Sequence, residues 1–418
     1  MTSVKVDRRV KRWAEQRWLT DATVRTAGVE FAPKATAGGA ESLAEFQAVA
    51  RRIRKFDDTH RELAAQARKR EAKALAFERD KRTVAARESY LIASLLWGAA
   101  QWPLFEVNGL YRTYEERMNH CYLRFIRFMA RPIERIEFPF QNKSLPGYLH
   151  LPWKPEKGEK FPAVLAIGGL DTNKETQVAI YGDRCLERGM AVLAIDGPGQ
   201  GEAIARGIFL TESNHGDAAV AAFERLVQHP AIDPKRIAVR GNSFGSYFGT
   251  VAAARLGKRI KAFAASGICQ EPGVETLINH APPSYKQRLM FMAGYEDERA
   301  FDAFVKKFDL RRIADKIAAP YMIVAGAEDA LSPIQHTYDL FEWIKAPRRL
   351  VVYEGAGHGI RDGSAAANGE EKTTLVSDWL RDRIDDRPFK SESVWIDSAG
   401  RPHATAFRGR KSATPRKR

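Results

Sequence analysis

From residue 131 onward the chain alternates between short, mostly apolar segments and helical patterns. The apolar segments span 161–167, 190–196, 237–241, 321–325 and 349–353, and each runs into a loop that carries glycine. Strands that are apolar on both faces and alternate with helices form largely parallel sheets that are covered on both sides. The predicted fold class is therefore α/β, and ligands of such sheets bind beyond the carboxyl ends of the strands.

The periodicity divides the chain into three parts. Residues 1–130 follow a helical pattern almost throughout, with a long charged stretch at 41–87 and two more apolar helices after it. Alternating apolar residues after Pro132 predict a β-hairpin at the start of the second part. We therefore expect a helical N-terminal domain at 1–130, an α/β domain at 131–388 and a C-terminal extension at 389–418 that ends in a disordered basic tail.

The net charge of this 418-residue chain is +15, and most of it is concentrated in two segments. Residues 401–418 carry seven Lys or Arg and no acid, and residues 51–90 carry thirteen against seven acids, which together account for +13. The rest of the chain is nearly neutral, so we interpret the basic tail as a solvated segment. We expect a small-molecule substrate as partner, and neither a nucleic acid nor a membrane.

Three cysteines, Cys121, Cys185 and Cys269, lie far apart and lack the C-x-x-C spacing of a zinc site. Their number and spacing fit a reducing compartment, and the N-terminal segment lacks the apolar core of a signal peptide. The longest apolar stretch is too short to span a bilayer. We therefore expect a cytoplasmic protein without a bound metal.

One of the loops carries the G-x-S-x-G pattern in Gly241-Asn-Ser-Phe-Gly245. In a nucleophile elbow of this pattern the serine sits on a strained turn between a strand and a helix, and its hydroxyl projects above the sheet. We expect the flanking glycines to be required because the turn leaves no room for a Cβ there. An apolar strand precedes the pentapeptide and a helical run of small residues, 247–256, follows it. Ser243 is therefore the candidate nucleophile.

A serine nucleophile needs a base and a carboxylate that orients the base, and in such a fold they follow in the order Ser, acid, His. Asp329 and His358 each follow a predicted strand at its carboxyl end. The 29 residues from one to the other suffice for one helix and one strand, which would bring both loops to the same edge of the sheet. We predict that Ser243, His358 and Asp329 form a catalytic triad, with Glu328 as an alternative acid.

The oxyanion of a tetrahedral intermediate needs two backbone N–H donors. One is expected from Phe244, which follows the nucleophile, and the other from Gly169 or Leu170 in the glycine-rich loop after the strand at 161–167. The loop Asp196-Gly-Pro-Gly-Gln-Gly-Glu202 has the spacing of neither a Walker loop nor a dinucleotide-binding loop, so no cofactor is predicted. We interpret this second loop as a structural turn at the floor of the pocket.

These motifs together resemble one group of α/β-hydrolases. They are Gly168-Gly-Leu-Asp-Thr-Asn-Lys-Glu175, Asp196-Gly-Pro-Gly-Gln-Gly-Glu202, Gly241-Asn-Ser-Phe-Gly245 and the helical first 130 residues. The group includes 2,6-dihydroxypseudooxynicotine hydrolase, the fungal hydrolases that shorten polyketide pigment precursors, and the fermentation–respiration switch protein. The resemblance implies that the N-terminal helices cap the active site of an α/β-hydrolase fold, that members can form homodimers, and that some cleave a carbon–carbon bond next to a ketone. It also implies that a glutamate after the strand that follows the elbow helix can serve the site, and Glu271 is the nearest match.

The sequence therefore predicts a serine-dependent hydrolase that cleaves either an ester or a carbon–carbon bond next to a ketone in a small carbonyl compound. The triad does not distinguish these reactions, because departure of a carbanion only adds the need for a proton donor. Glu271 or a residue of the helical domain is the candidate donor. A general carboxylesterase or a hydrolase of short peptides is an alternative within this class. A non-catalytic, regulatory partner-binding protein is the alternative of another class, suggested by the basic tail and the charged helix.

Overall fold

The computed structural model describes residues 34–406, and its first part is helical. The helices are α1 (Gly39–Ala50), α2 (Phe56–Arg79), α3 (Thr83–Gln101) and α4 (Gly109–Arg127). The charged pattern at 41–87 predicts one long helix, whereas the structure interrupts it at 51–55 and again at 80–82. Helix α3 is buried along most of its length because α2 and α4 pack against it. Among the described residues, every helix is too short or too polar to traverse a lipid bilayer.

The second part of the described chain is built on a ten-stranded sheet. In chain order its strands are β1 (Ile133–Phe140), β2 (Lys143–His150), β3 (Phe161–Ile167), β4 (Ala191–Ile195), β5 (Ile232–Asn242), β6 (Phe263–Ser266), β7 (Tyr321–Gly326), β8 (Arg348–Tyr353), β9 (Glu392–Ile396) and β10 (Pro402–Ala406). Their spatial order is β1-β2-β4-β3-β5-β6-β7-β8-β9-β10. The strands from β4 to β9 in this order are parallel, and β1, β2 and β10 are antiparallel to their neighbours. The predicted α/β class is confirmed.

Helices cover both faces of this sheet. They are α5 (Gln177–Tyr181), α6 (Arg184–Glu187), α7 (Gly201–Ala205), α8 (Asn214–Val227), α9 (Phe244–Leu256), α10 (Glu275–Asn279), α11 (Pro283–Ala293), α12 (Glu298–Val305), α13 (Ile334–Trp343), α14 (Ser364–Asn368) and α15 (Lys372–Ile384). Side chains alternate across β3, so Leu165 joins the apolar core formed with α8 and α9, whereas Val164 joins the core formed with α15. This two-sided burial explains why the central strands are apolar throughout.

The sequence pattern did not predict the two strands at the end of the described chain. Strand β9 pairs in parallel with β8, and β10 turns back antiparallel to β9. Val394 and Ile396 of β9 are buried in the core beside α15, whereas every side chain of β10 is exposed. Residues 407–418, for which the sequence predicts a disordered basic tail, lie outside the described residues.

Candidate active site

Ser243 lies in the turn between β5 and α9. Its backbone has φ of 57° and ψ of −129°, a conformation that residues other than glycine rarely adopt, so the turn is strained. A Cβ built on Gly241 would lie 2.0 Å from the carbonyl oxygen of Gly245. One built on Gly245 would lie 2.3 Å from the carbonyl oxygen of Ile167. The expectation that both flanking glycines are required for lack of space is therefore confirmed.

The structure brings the three predicted triad residues into one hydrogen-bonded chain. Ser243 Oγ lies 2.9 Å from His358 Nε2, and His358 Nδ1 lies 2.8 Å from Asp329 Oδ2. The other carboxylate oxygen of Asp329 accepts hydrogen bonds from the backbone N–H groups of Leu331 (2.8 Å) and Ser332 (3.1 Å). These bonds fix the orientation of a fully buried carboxylate. A hydroxyl, an imidazole and a carboxylate in this order can activate the hydroxyl as a nucleophile.

Ser243 and His358 line a cavity of about 350 Å³, a size that suits a small molecule. The other lining residues are Lys34, Leu170, Asp171, Thr172, Ile180, Tyr181, Asn242, Leu277, Pro282, Tyr285, Leu331, Gly359, Arg361, Lys372 and Thr373. Apolar atoms contribute most of the exposed surface of the wall, which also contains the side chains of Lys34, Asp171, Arg361 and Lys372. Of the described residues before 131, only Lys34 contributes to the wall.

The loop between β3 and α5 approaches the elbow closely. A Cβ on Gly169 would lie 3.0 Å from the Cβ of Ser243 and 3.4 Å from its Oγ, so glycine allows the backbone to come this near. The side-chain amide of Gln200 donates hydrogen bonds to the carbonyl oxygens of Gly168 (3.1 Å) and Gly169 (2.6 Å). The C=O and N–H groups of a trans peptide point in opposite directions. These bonds therefore turn the N–H groups of Gly169 and Leu170 away from Gln200.

Gln200 is itself held in place, although no functional role is predicted for it from the sequence. Its Oε1 accepts a hydrogen bond from Gly197 N (3.0 Å) and lies 3.2 Å from His215 Nε2. The His215 ring stacks on Phe248 with centroids 3.8 Å apart, and burial lowers the pKa of His215 to about 3, so the ring is neutral. No residue of the loop at 196–202 lines the cavity. The interpretation of this loop as the pocket floor is therefore wrong, and it supports the β3–α5 loop instead.

A buried ammonium group lies in the same β3–α5 loop. Lys174 Nζ is 2.7 Å from a Glu175 oxygen, 2.9 Å from Asp196, 3.1 Å from Glu202 and 3.9 Å from Glu115 of α4. We refer to these five residues as the Lys174 cluster. Burial disfavours the ammonium, but the carboxylates outweigh it and raise the pKa of Lys174 well above its ordinary value. Asp196 also accepts hydrogen bonds from the backbone N–H groups of Lys174 (2.7 Å) and Glu202 (3.1 Å), so the cluster joins the two glycine-rich loops.

The protonation of Glu175 predicts a pH dependence of stability. Burial raises its pKa from an ordinary 4.5 to about 8, so the folded chain holds a proton that the unfolded chain releases between these pH values. The contribution of Glu175 to the free energy of unfolding should therefore fall as the pH rises through this window. Glu175→Gln should flatten this slope in urea titrations, whereas Glu296→Gln, at an exposed site, should not. An unchanged slope in Glu175→Gln would contradict the assignment.

Glu271, the predicted proton donor, is not brought to the cavity by the structure. Its carboxylate accepts hydrogen bonds from the backbone N–H (2.7 Å) and the hydroxyl (3.1 Å) of Thr276, and it lies 3.6 Å from His336 Nε2. It is absent from the cavity wall. Its two oxygens are thus occupied by the first turn of α10.

Comparison with known proteins agrees with this architecture. A family model for FrsA-like esterases matches residues 59–292, more than half of the chain. The chain is 26% identical over 288 residues to alpha/beta hydrolase xenA of Xenoacremonium sinensis, covering 65% of each protein. It is 29% identical over 212 residues to esterase FrsA of Yersinia pestis (strain Pestoides F), covering 50% of this chain and 48% of that one. The match therefore spans less than two thirds of the length of these relatives.

Solved structures show the same fold. The crystal structure of 2,6-dihydroxy-pseudo-oxynicotine hydrolase is similar with a TM-score of 0.71 at 22% identity, covering 85% of this chain and 96% of that one. Wild-type AbyA5 is similar with a TM-score of 0.63 at 16% identity, covering 86% and 99%. With the elbow, the parallel sheet and the family match in agreement, the chain belongs to the FrsA-like esterase family and has an α/β-hydrolase fold.

Proposed function

We propose that the protein is a serine esterase acting on small carbonyl compounds, with Ser243 as nucleophile, His358 as general base and Asp329 as the group that orients His358. The proposal is carried by the hydrogen bonds of 2.9 Å and 2.8 Å that link these side chains beside an apolar cavity. A strained turn that holds a serine against an imidazole serves catalysis, whereas simple binding has no need of it. Membership of an esterase family supports the same function.

Ester cleavage at this site proceeds in two halves. Ser243 Oγ attacks the carbonyl carbon, and its proton passes to His358 Nε2. The imidazolium, held by Asp329 through Nδ1–H, then gives that proton to the departing alkoxide oxygen, which leaves as an alcohol. In the second half, His358 takes a proton from a water molecule that attacks the acyl-Ser243 carbonyl. His358 then returns this proton to Ser243 Oγ as the acyl–oxygen bond breaks and the carboxylic acid departs.

We assign stabilisation of the oxyanion to backbone N–H groups of Phe244 and of Gly169 or Leu170. Phe244 is the first residue of α9, so its N–H has no acceptor within the helix and lies at the positive end of the helix dipole. The N–H groups of Gly169 and Leu170 have no hydrogen-bond partner among residues 34–406. Two such donors match the charge that develops on the carbonyl oxygen in the transition state.

Gln200 is the positioning residue of this arrangement, so its loss should lower turnover more than substrate binding. Gln200→Leu removes both hydrogen bonds to the loop carbonyls and should reduce kcat by roughly 10²-fold, with a much smaller change in KM. Affinity for an aryl boronic acid, which forms a tetrahedral adduct with the serine, should fall in parallel with kcat.

The matched control for this prediction is Gln177→Leu. Gln177 is also buried, but its amide donates to the carbonyl oxygen of Ile195 at 2.8 Å. Both variants lose a buried hydrogen bond, but only Gln200→Leu loses the bonds to the carbonyl oxygens of Gly168 and Gly169. Equal losses of kcat in the two variants would contradict the positioning role.

Carbon–carbon cleavage next to a ketone is the second candidate within the hydrolase class. A departing carbanion needs a proton donor near the leaving group. Of the two expected donors, Glu271 is bonded to Thr276 and does not line the cavity. The described residues of the helical domain contribute no carboxylate to the cavity wall, only Lys34. We therefore propose ester rather than ketone cleavage. A panel of aryl esters and β-diketones tests this choice, and faster turnover of the β-diketones would reverse it.

Partner binding without catalysis is the alternative of another class. The deciding experiment uses a fluorophosphonate probe, which reacts with activated serine hydroxyls, on the wild type and on Ser243→Ala. Labelling of the wild type alone supports the esterase proposal. Equal labelling of both proteins would contradict it, and so would absence of labelling together with absence of turnover on every ester.

A further inference from the structure

The cavity beside Ser243 carries an excess of positive charge. Its wall contains three cationic side chains, Lys34, Arg361 and Lys372, and one carboxylate, Asp171. Asp171 lies 3.9 Å from Lys34, so these two opposite charges neutralise each other. Arg361 and Lys372 make no ion pair with any carboxylate of the described residues 34–406. Two cations in one wall therefore lack a counter-ion from this part of the chain.

Lys372 is the more informative of the two cations, because a buried charge without a counter-ion is costly. The residue is only 7% exposed. Its ammonium donates a hydrogen bond to the carbonyl oxygen of Gly359, next to His358, and an ammonium has three donors. Burial, reinforced by the charge of Arg361, lowers the pKa of Lys372 to about 7, so the amine is fully charged only below this pH. An anion bound beside it would favour the charged form and raise the pKa again.

Three nearby carboxylates favour the charged form of Lys372 electrostatically, but each of them already has a closer hydrogen-bond partner. The partners are Arg184 for Glu371 (2.8 Å), His358 for Asp329 (2.8 Å) and the backbone N–H of Gly357 for Asp362 (3.1 Å). None of these acids lines the cavity. An anion that neutralises Lys372 and Arg361 would therefore have to enter through the cavity.

We propose that Arg361 and Lys372 form a subsite for an anionic group of the substrate, so that the preferred esters carry a carboxylate besides the ester bond. The inference rests on the proposed esterase function, because the subsite is part of the cavity that Ser243 lines. A guanidinium and an ammonium bind a carboxylate through charge-assisted hydrogen bonds. A carboxylate between them also offsets their mutual repulsion. The apolar remainder of the wall accommodates the carbon chain.

The test compares esters of similar size and different charge. The nitrophenyl half-ester of succinic acid carries a carboxylate on the acyl side, the butyrate ester of hydroxybenzoic acid carries one on the leaving group, and nitrophenyl butyrate is neutral. Wild-type kcat/KM should be about tenfold or more higher for at least one anionic ester than for nitrophenyl butyrate. Arg361→Leu and Lys372→Met should each lower that ratio by about tenfold, and Lys316→Met, which removes an exposed charge outside the cavity, should not.

The outcomes separate this inference from the function on which it rests. If the wild type hydrolyses none of the three esters, the proposed esterase function fails. If it hydrolyses nitrophenyl butyrate in a Ser243-dependent manner with no preference for either anionic ester, only the subsite is wrong. A preference that survives in Arg361→Leu also overturns it. Because Arg361 is exposed, this variant carries the test even where Lys372→Met does not fold.

Discussion

Replacing Ser243 by alanine should lower kcat for an aryl ester by about 10⁴-fold to 10⁶-fold. The Ser243 hydroxyl is the atom that His358 Nε2 approaches at 2.9 Å, and without it no acyl-enzyme can form. The residual rate then comes from water activated by His358 and from the oxyanion donors, which the substitution leaves in place. Steady-state kinetics on nitrophenyl butyrate measure the effect, and circular dichroism checks that the fold is retained.

The matched control is Ser246→Ala, one turn further along α9. Ser246 is fully buried, and its Oγ accepts a hydrogen bond from the backbone N–H of Cys269 at 2.9 Å. Losing this bond should cost about 1 kcal/mol of stability and leave kcat within a few-fold of the wild-type value. Turnover by Ser243→Ala near the wild-type rate, or equal losses in both variants, would refute the assignment of the nucleophile.

The sequence is sufficient to predict that Ser243, Asp329 and His358 lie together, because each follows an apolar strand within a few residues. Parallel strands bring all their carboxyl ends to one edge of the sheet, so Ser243, Asp329 and His358 meet whatever the detailed course of the intervening loops. The buried strands β3 and β4 are also predictable from the sequence, because both of their faces are apolar. The steric demand at Gly241 is equally predictable, because a Cβ there would meet backbone atoms of the same turn, in Gly245 and Ser246.

Other features depend on information that the local sequence does not carry. Strand β10 is exposed throughout, so it has no apolar pattern to mark it. The direction of the Glu271 side chain is decided by a hydrogen bond to Thr276, five residues further on. Lys174 and Gln200 lie in loops rich in glycine and polar residues, where such side chains are usually solvated. They are buried because the β3–α5 loop packs against the 196–202 loop, a contact that the local sequence does not indicate.

Lys174→Met should destabilise the protein by about 3–5 kcal/mol, the largest loss of stability that we predict. The ammonium lies 2.9 Å from Asp196, and neither side chain has any exposed surface. Without the ammonium, the Asp196 carboxylate retains the backbone N–H groups of Lys174 and Glu202, which supply hydrogen bonds but no full positive charge. The free energy of unfolding from urea denaturation measures the loss.

Two further variants determine whether charge or packing causes that loss. Lys261→Met removes an ion pair with Asp386 of similar length, 2.7 Å, but the aspartate is 73% exposed, so about 0–1 kcal/mol should be lost. The double variant Lys174→Met, Asp196→Asn should recover part of the stability, because it removes the uncompensated Asp196 charge while the amide oxygen keeps one of the two backbone N–H groups. If the double variant is no more stable than Lys174→Met, the lysine acts through packing and the electrostatic account of the Lys174 cluster is wrong.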